Sequence, residues 1–97
     1  MTMAKQDIIA DITNHFKGTA YSDCYVGITA DAASRLFGDH RIARMQGHWI
    51  YRIAFSHAVA REVEQHFLDA GMDGGKGGGD ESSTTVYAYA KTAETSP

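Results

Sequence analysis

The stretch that decides the fold is CYVGITADAASRLFG, residues 24–38. Its first six residues combine β-branched and aromatic side chains in an almost unbroken apolar run, which predicts a buried β-strand. Thr29 or Asp31 is placed to cap the helix that follows, because a side-chain oxygen at this position accepts a hydrogen bond from a first-turn backbone N–H. Gly38 is the expected end of that helix. We therefore expect a strand that leads directly into a helix.

The other elements are predicted from apolar periodicity and from glycine positions on both sides of this unit. In chain order we expect a helix over 4–17, a strand over 24–29, a helix over 31–37, a strand over 49–55, a helix over 57–70 capped by Ser56, a Gly-rich loop over 71–80, a strand over 84–90 and a frayed tail over 92–97. The prediction is one α+β domain over residues 1–97, in which three helices pack on a small three-stranded, mainly antiparallel sheet.

The composition places the chain among ordinary globular proteins. No apolar run approaches the roughly 20 residues that a membrane helix needs, and the N-terminus lacks a signal-peptide pattern. We therefore expect a cytoplasmic protein with no membrane partner. The one cysteine, Cys24, cannot form an internal disulfide and lies in an apolar run, which predicts a buried thiol.

Charge is distributed unevenly along the chain. Residues 32–61 hold all five arginines and carry a net charge of +4, whereas residues 1–31 carry −2 and residues 62–97 carry −5. Guanidinium groups bind oxyanions bidentately, so this middle segment is suited to phosphate or carboxylate recognition. Arg41 and Arg44 are its candidate substrate-binding residues. The alternative is that the arginines lie on solvated faces and pair with the acidic ends.

Glu64 is the candidate metal ligand. It lies at the border of the apolar face of the predicted helix 57–70, where a carboxylate can hold a divalent ion or an arginine while it stays partly solvated. Plain solvation is the alternative for a border glutamate. The glycine-rich loop does not fit a Walker phosphate loop, because Lys76 is followed by Gly77. The histidine spacing with a single cysteine does not fit a structural zinc site.

Tyr25-Val26-Gly27, followed by Arg35, His40 and Glu64, together resemble the GIY-YIG nuclease superfamily over about residues 24–68. The resemblance implies that Tyr25 lies near the attacking water and the scissile phosphate, and that Arg35 steadies the phosphate in the transition state. It implies that Glu64 holds Mg²⁺ or Mn²⁺. His40 resembles the histidine or tyrosine that lies one helical turn past the arginine, although here the spacing is five residues.

The sequence departs from the family before Tyr25, where an amphipathic helix replaces the Gly-Ile-Tyr strand that contributes the expected general base. We infer a rearranged fold in which the C-terminal strand enters the sheet and Val86-Tyr87 replaces the Ile-Tyr pair. Tyr87 or Tyr89 would then approach Tyr25. The alternative is that both tyrosines only pack in their strand.

The function predicted from these residues is a metal-dependent, nuclease-like phosphodiesterase that acts on nucleic acid. The alternative is a catalytically inactive GIY-YIG-like module that binds a phosphate-containing ligand, a nucleotide or a partner protein. Convergence of Tyr25, Arg35, Glu64 and Tyr87 around one cleft would favour the enzyme.

Overall fold

The computed structural model describes residues 2–40, 42, 48–75, 81–92 and 95. The helical elements are α1 (Lys5–His15), a short 3-10 turn (Tyr21–Asp23), a π-helix (Ser34–Asp39) and α2 (His57–Ala70). The strands are β1 (Cys24–Thr29), β2 (Trp49–Ile53), β3 (Asp73–Gly74) and β4 (Thr85–Ala90). No described helix is both long enough and apolar enough to cross a lipid bilayer.

The strands form one mixed sheet in the order β2-β4-β1-β3. Strand β4 runs antiparallel to both β1 and β2, and β3 runs parallel to β1. The C-terminal strand thus lies inside the sheet, as expected from the sequence. The α+β class is confirmed, but the prediction of three strands is wrong because the described residues form four.

The additional strand, β3, lies within the segment that was predicted to be a loop. Gly71 ends α2 in a left-handed conformation with φ 118°, which turns the chain back alongside β1. Asp73 and Gly74 then pair with Tyr25 and Val26. Two residues in a glycine-rich run have no apolar period, so this strand depends on a long-range pairing that sequence patterns do not show. Residues 76–80 of the predicted loop lie outside the described residues.

Local capping explains which element boundaries were predicted correctly. Helix α2 has the expected bounds because the Ser56 hydroxyl accepts a hydrogen bond from the Val59 N–H at 3.2 Å and Gly71 ends the helix. Asp31 caps the helical segment before the π-helix by accepting from the Ser34 N–H at 3.1 Å. That segment continues through Gly38 to Asp39, so the predicted end at Gly38 is wrong. Strand β2 ends at Ile53, two residues earlier than expected.

The sheet is covered on both faces. The face against α1 and α2 holds the larger core: Ile8, Ile12, Phe16, Cys24, Val26, Ile50, Ala54, Ala60, Val63, Phe67, Met72, Val86 and Ala88. The opposite face carries a smaller cluster under the π-helix: Tyr25, Leu36, Ile42, Tyr87 and Tyr89. Side chains on both faces of β1 and β4 are therefore buried, except for the partly exposed Ile28 and Ala90, which explains the nearly unbroken apolar runs of these strands. The Cys24 thiol is buried as predicted.

Candidate functional site

Three tyrosines lie side by side on the sheet face that the π-helix covers. Tyr25 of β1 pairs in register with Tyr89 of β4, and Gly27 pairs with Tyr87. The Tyr25 ring is stacked against Tyr89 with a centroid distance of 5.3 Å, and against Tyr87 with a centroid distance of 6.4 Å. The expected approach of Tyr87 and Tyr89 to Tyr25 is therefore present in the structure.

Gly27 makes this arrangement sterically possible. A Cβ atom at Gly27 would lie 2.5 Å from the Tyr87 hydroxyl oxygen and 2.6 Å from the ring carbon that carries it. Any other residue at this position would force the Tyr87 ring to move. The glycine of the Tyr-Val-Gly motif is thus required by the position of a side chain on the neighbouring strand.

His40 is brought to the tyrosines by the π-helix. The backbone N–H of His40 donates to the backbone carbonyl oxygen of Arg35 at 2.9 Å. This is the hydrogen bond between residues i and i+5 that defines a π-helical turn. His40 follows Arg35 by five residues, one more than the hydrogen-bond spacing of an α-helix. This spacing therefore equals the hydrogen-bond spacing of the π-helix that forms here. The His40 side chain is only 3% exposed and lies between two hydroxyl groups, with Nε2 3.0 Å from the Tyr87 oxygen and Nδ1 3.0 Å from the Tyr89 oxygen.

Hydrogen-bond accounting determines which ring nitrogen of His40 carries the proton. Among the described residues, the fully buried Tyr89 hydroxyl has one hydrogen-bond partner, His40 Nδ1. A buried hydroxyl that does not donate its proton costs about 1–3 kcal/mol, so Tyr89 donates to Nδ1. Nε2 then carries the ring proton and donates to Tyr87.

Arg35 gives the Tyr87 oxygen a second donor. Its Nη2 donates to the Tyr87 hydroxyl at 3.4 Å. Since both acceptor positions of the oxygen are then occupied, the proton of Tyr87 points away from His40 and Arg35. Burial raises the pKa of Tyr87, whereas the hydrogen bond and charge of Arg35 lower it. The same cation counteracts the larger effect of burial on the pKa of Tyr25.

A small cleft of about 40 Å³ opens beside the Tyr87 hydroxyl at the edge of β1. Its lining comprises Tyr25, Gly27, Ile28, Arg35, Glu64, Gly75 and Tyr87. Strand β3 ends opposite Val26, so β1 is uncovered beside Gly27 and Ile28, and Glu64 of α2 reaches the cleft there. Tyr25, Arg35, Glu64 and Tyr87, whose convergence is expected of an enzyme, therefore line one cleft.

Glu64 contributes the cleft's one carboxylate among the described residues. The residue is 8% exposed, and burial raises the pKa of its carboxyl group while Arg61 and His57 lower it. In the described part of the chain no group donates a hydrogen bond to this carboxylate or forms an ion pair with it. A buried carboxylate that accepts no hydrogen bond from a described residue is suited to bind a cation, because hard cations are bound by oxygen ligands.

Two contacts in the site were not indicated by the sequence. The Gly75 backbone hydrogen-bonds to the Tyr25 hydroxyl, and Tyr89 orients His40; neither role has a signal in the sequence, because both depend on pairings between distant segments. Arg41 and Arg44 lie outside the described residues. No group of three or more His, Cys, Asp or Glu side chains suited to a metal ion occurs among the residues that are described.

No protein-family model, curated protein or solved structure matches this chain.

Proposed function

We propose that this protein is a metal-dependent phosphodiesterase that acts on nucleic acid. The observation that carries the proposal is the single cleft lined by Tyr25, Arg35, Glu64 and Tyr87. Four separate elements supply a guanidinium group, two phenols and a carboxylate to this cleft. Hydrolysis of a phosphodiester needs a positive charge to hold the phosphate, a proton acceptor for the attacking water and a ligand for a metal ion, and these groups can fill those roles.

Arg35 and Tyr87 have complementary roles in this mechanism. The guanidinium group of Arg35 binds a non-bridging phosphate oxygen and stabilises the charge that develops there. Tyr87 accepts a proton in its phenolate form, which the donors on Arg35 and His40 stabilise. Because burial raises the pKa of Tyr87, the phenolate is the minor form at neutral pH, and cleavage increases as the pH rises. Water attacks phosphorus, its proton passes to the phenolate oxygen, and the bond from phosphorus to the leaving oxygen breaks with its electron pair on that oxygen. Tyr25 orients the water.

Glu64 would hold the metal ion. Mg²⁺ commonly keeps several water ligands and is bound through one or two protein carboxylates together with substrate phosphate oxygens, so Glu64 would hold it jointly with the substrate. A bound Mg²⁺ or Mn²⁺ would neutralise the charge that develops on the leaving oxygen.

The test is cleavage of single-stranded, duplex and branched DNA in the presence of Mg²⁺ or Mn²⁺. Glu64→Gln keeps the size of the side chain but removes its charge, and we expect it to abolish metal-dependent cleavage. Glu62→Gln is the matched control, because Glu62 lies on the same helix with its side chain 57% exposed and facing Lys5. Equal cleavage by wild type and Glu64→Gln would reject the proposal.

A second candidate is a module that binds a phosphate group without cutting it. The observation that favours it is that a single described carboxylate lines the cleft, which would leave a metal ion weakly held. This candidate expects phosphate-ligand binding that is independent of metal and lost in Arg35→Ala. One saturable Mn²⁺ site that Glu64→Gln abolishes would favour the enzyme instead.

A further inference from the structure

A second, larger groove of about 340 Å³ lies on the same sheet face as the cleft. Its lining includes three aromatic side chains and two groups that form hydrogen bonds: Phe37, Trp49, Tyr51, Asp31 and Thr85. Neither the sequence motifs nor the mechanism above uses this groove.

The aromatic wall of the groove is suited to a flat ring. The rings of Trp49 and Tyr51 are parallel within 7° and have centroids 6.2 Å apart, so both present faces of one orientation. Phe37 packs edge-on against Trp49 at 5.0 Å and holds the indole in place. Tyr51 is 42% exposed, which leaves ring surface accessible to a ligand. Nucleobases of any sequence can stack on such rings.

The charge of the groove selects what can enter it. Asp31 is the one charged residue among its described lining, and hydrogen bonds from Ser34 lower the pKa of its carboxyl group, so it is ionised at neutral pH. A carboxylate repels phosphate but accepts hydrogen bonds from N–H groups, and it keeps acceptor positions beyond those that Ser34 uses. Among the nucleobases, guanine presents adjacent N–H donors on one edge and has a large stacking surface.

The groove and the cleft are lined by residues of neighbouring strands. Tyr51 of β2 is the direct cross-strand neighbour of Tyr87 of β4, whose hydroxyl lines the cleft. Neighbouring strands lie about 4.8 Å apart, so a ring on Tyr51 and a phosphate beside Arg35 are within the span of one nucleotide. Arg35 itself lies between the groove residues Asp31 and Phe37 in sequence.

We propose that this groove is a nucleobase subsite that holds a guanine of the substrate, with the attached phosphate at Arg35. The placement of the phosphate rests on the proposed phosphodiesterase function, whereas the binding of the base does not.

The chain offers a direct probe of this subsite. Trp49 is its one tryptophan, so the indole N–H gives a single signal in a ¹H–¹⁵N spectrum. Guanosine 5′-monophosphate (GMP), cytidine 5′-monophosphate and ribose 5-phosphate are titrated separately. We expect GMP to shift the signal saturably, the cytidine nucleotide to bind about tenfold more weakly, and ribose 5-phosphate to leave the signal unchanged.

Variants of the exposed aromatics separate stacking from general effects. Tyr51→Ala should weaken GMP binding at least about fivefold, and Tyr51→Phe should retain it because the ring remains. Phe55→Ala is the matched control, since Phe55 lies two residues after the end of β2, is 63% exposed and does not line the groove. An equal shift with ribose 5-phosphate, or full affinity in Tyr51→Ala, would overturn the subsite.

Two further outcomes keep this proposal distinct from the nuclease. Binding of GMP without any cleavage of nucleic acid would reject the enzyme and support the subsite, whereas cleavage with no effect of GMP on Trp49 would overturn the subsite alone. A guanine-containing single strand that binds more tightly than GMP supports a nucleic-acid substrate. A strand that binds no better than GMP overturns that choice of substrate.

Discussion

Gly27 lies directly beneath the ring of Tyr87, and this contact links the short glycine motif to the proposed chemistry. We expect Gly27→Ala to reduce cleavage about hundredfold, because the new Cβ would displace the Tyr87 hydroxyl and misplacement by about 1 Å has this effect on catalysis. Overpacking should also lower the free energy of unfolding by about 1–3 kcal/mol. Metal-dependent cleavage and urea unfolding measure the two effects.

Gly38→Ala is the control for that substitution. A Cβ at Gly38 meets no atom within 4 Å, so cleavage and unfolding should both stay close to wild type. A Gly27→Ala protein that cuts as fast as Gly38→Ala would show that the position of the Tyr87 hydroxyl is not critical.

Tyr89 acts on the site through His40 rather than by touching a ligand. Tyr89→Phe removes the donor to Nδ1, so the proton of the His40 ring should no longer be confined to Nε2. The ¹⁵N shifts of the imidazole measure this redistribution directly. The lost buried hydrogen bond should lower the free energy of unfolding by about 1 kcal/mol. Tyr21→Phe, which keeps its ring outside this network, should leave the His40 shifts as they are in wild type.

At the residue level, the approach of Tyr87 to Tyr25 was predicted once the C-terminal strand was inferred to enter the sheet, because alternate residues of neighbouring strands share one face. The five-residue spacing of His40 could not be interpreted from sequence, since it fits one turn only of a π-helix. The orientation of His40 by Tyr89 depends on hydrogen-bond directions that residue types alone do not define.

The C-terminal end of α1 contacts the residue that precedes β2 through a histidine pair. The ring centroids of His15 and His48 are 4.6 Å apart, and burial, His48 and Arg52 together lower the pKa of His15 below 6.5. A lowered folded-state pKa means that the unfolded chain binds the proton more tightly, so this contribution to stability is present above pH 6.5 and is lost as the pH falls through the folded-state value.

His15→Gln should therefore flatten the dependence of the unfolding midpoint on pH below about pH 6.5, as measured by urea denaturation. His66→Gln, on the exposed face of α2, is the control and should keep the slope of wild type. An unchanged slope in His15→Gln would mean that the proton uptake arises elsewhere.

Helix α2, which has a local signal at each end, was predicted to the residue, whereas strand β3 was not predicted. Helix α2 begins after Ser56 and ends before Gly71, and both signals are present in the sequence. Strand β3 has no such signal, because Asp73 and Gly74 become a strand only where they meet Tyr25 and Val26. The π-helix was predicted as an ordinary helix because six residues are too few to distinguish its period from that of an α-helix.

At the scale of the molecule, β4 holds the sheet together because it lies between β1 and β2. The position of β4 in the sheet was inferred from the family resemblance, which requires a strand that the N-terminal half of this chain does not supply. Composition could not give the strand order, since it depends on pairing between segments about sixty residues apart.

The central position of β4 predicts that the fold depends on the last strand of the chain. A chain that ends at Thr84 loses Val86, Tyr87, Ala88 and Tyr89, all at most 1% exposed. Burial of a large apolar side chain contributes about 1.5–3 kcal/mol, so the combined loss approaches the 5–15 kcal/mol that stabilises a typical domain. We expect no cooperative thermal transition from this chain, whereas a chain that ends at Thr92 should keep one.

A peptide of residues 81–95 added to the shorter chain should restore the transition, because β4 pairs on both edges with strands that remain. A shorter chain that unfolds cooperatively without the peptide would contradict the central role of β4.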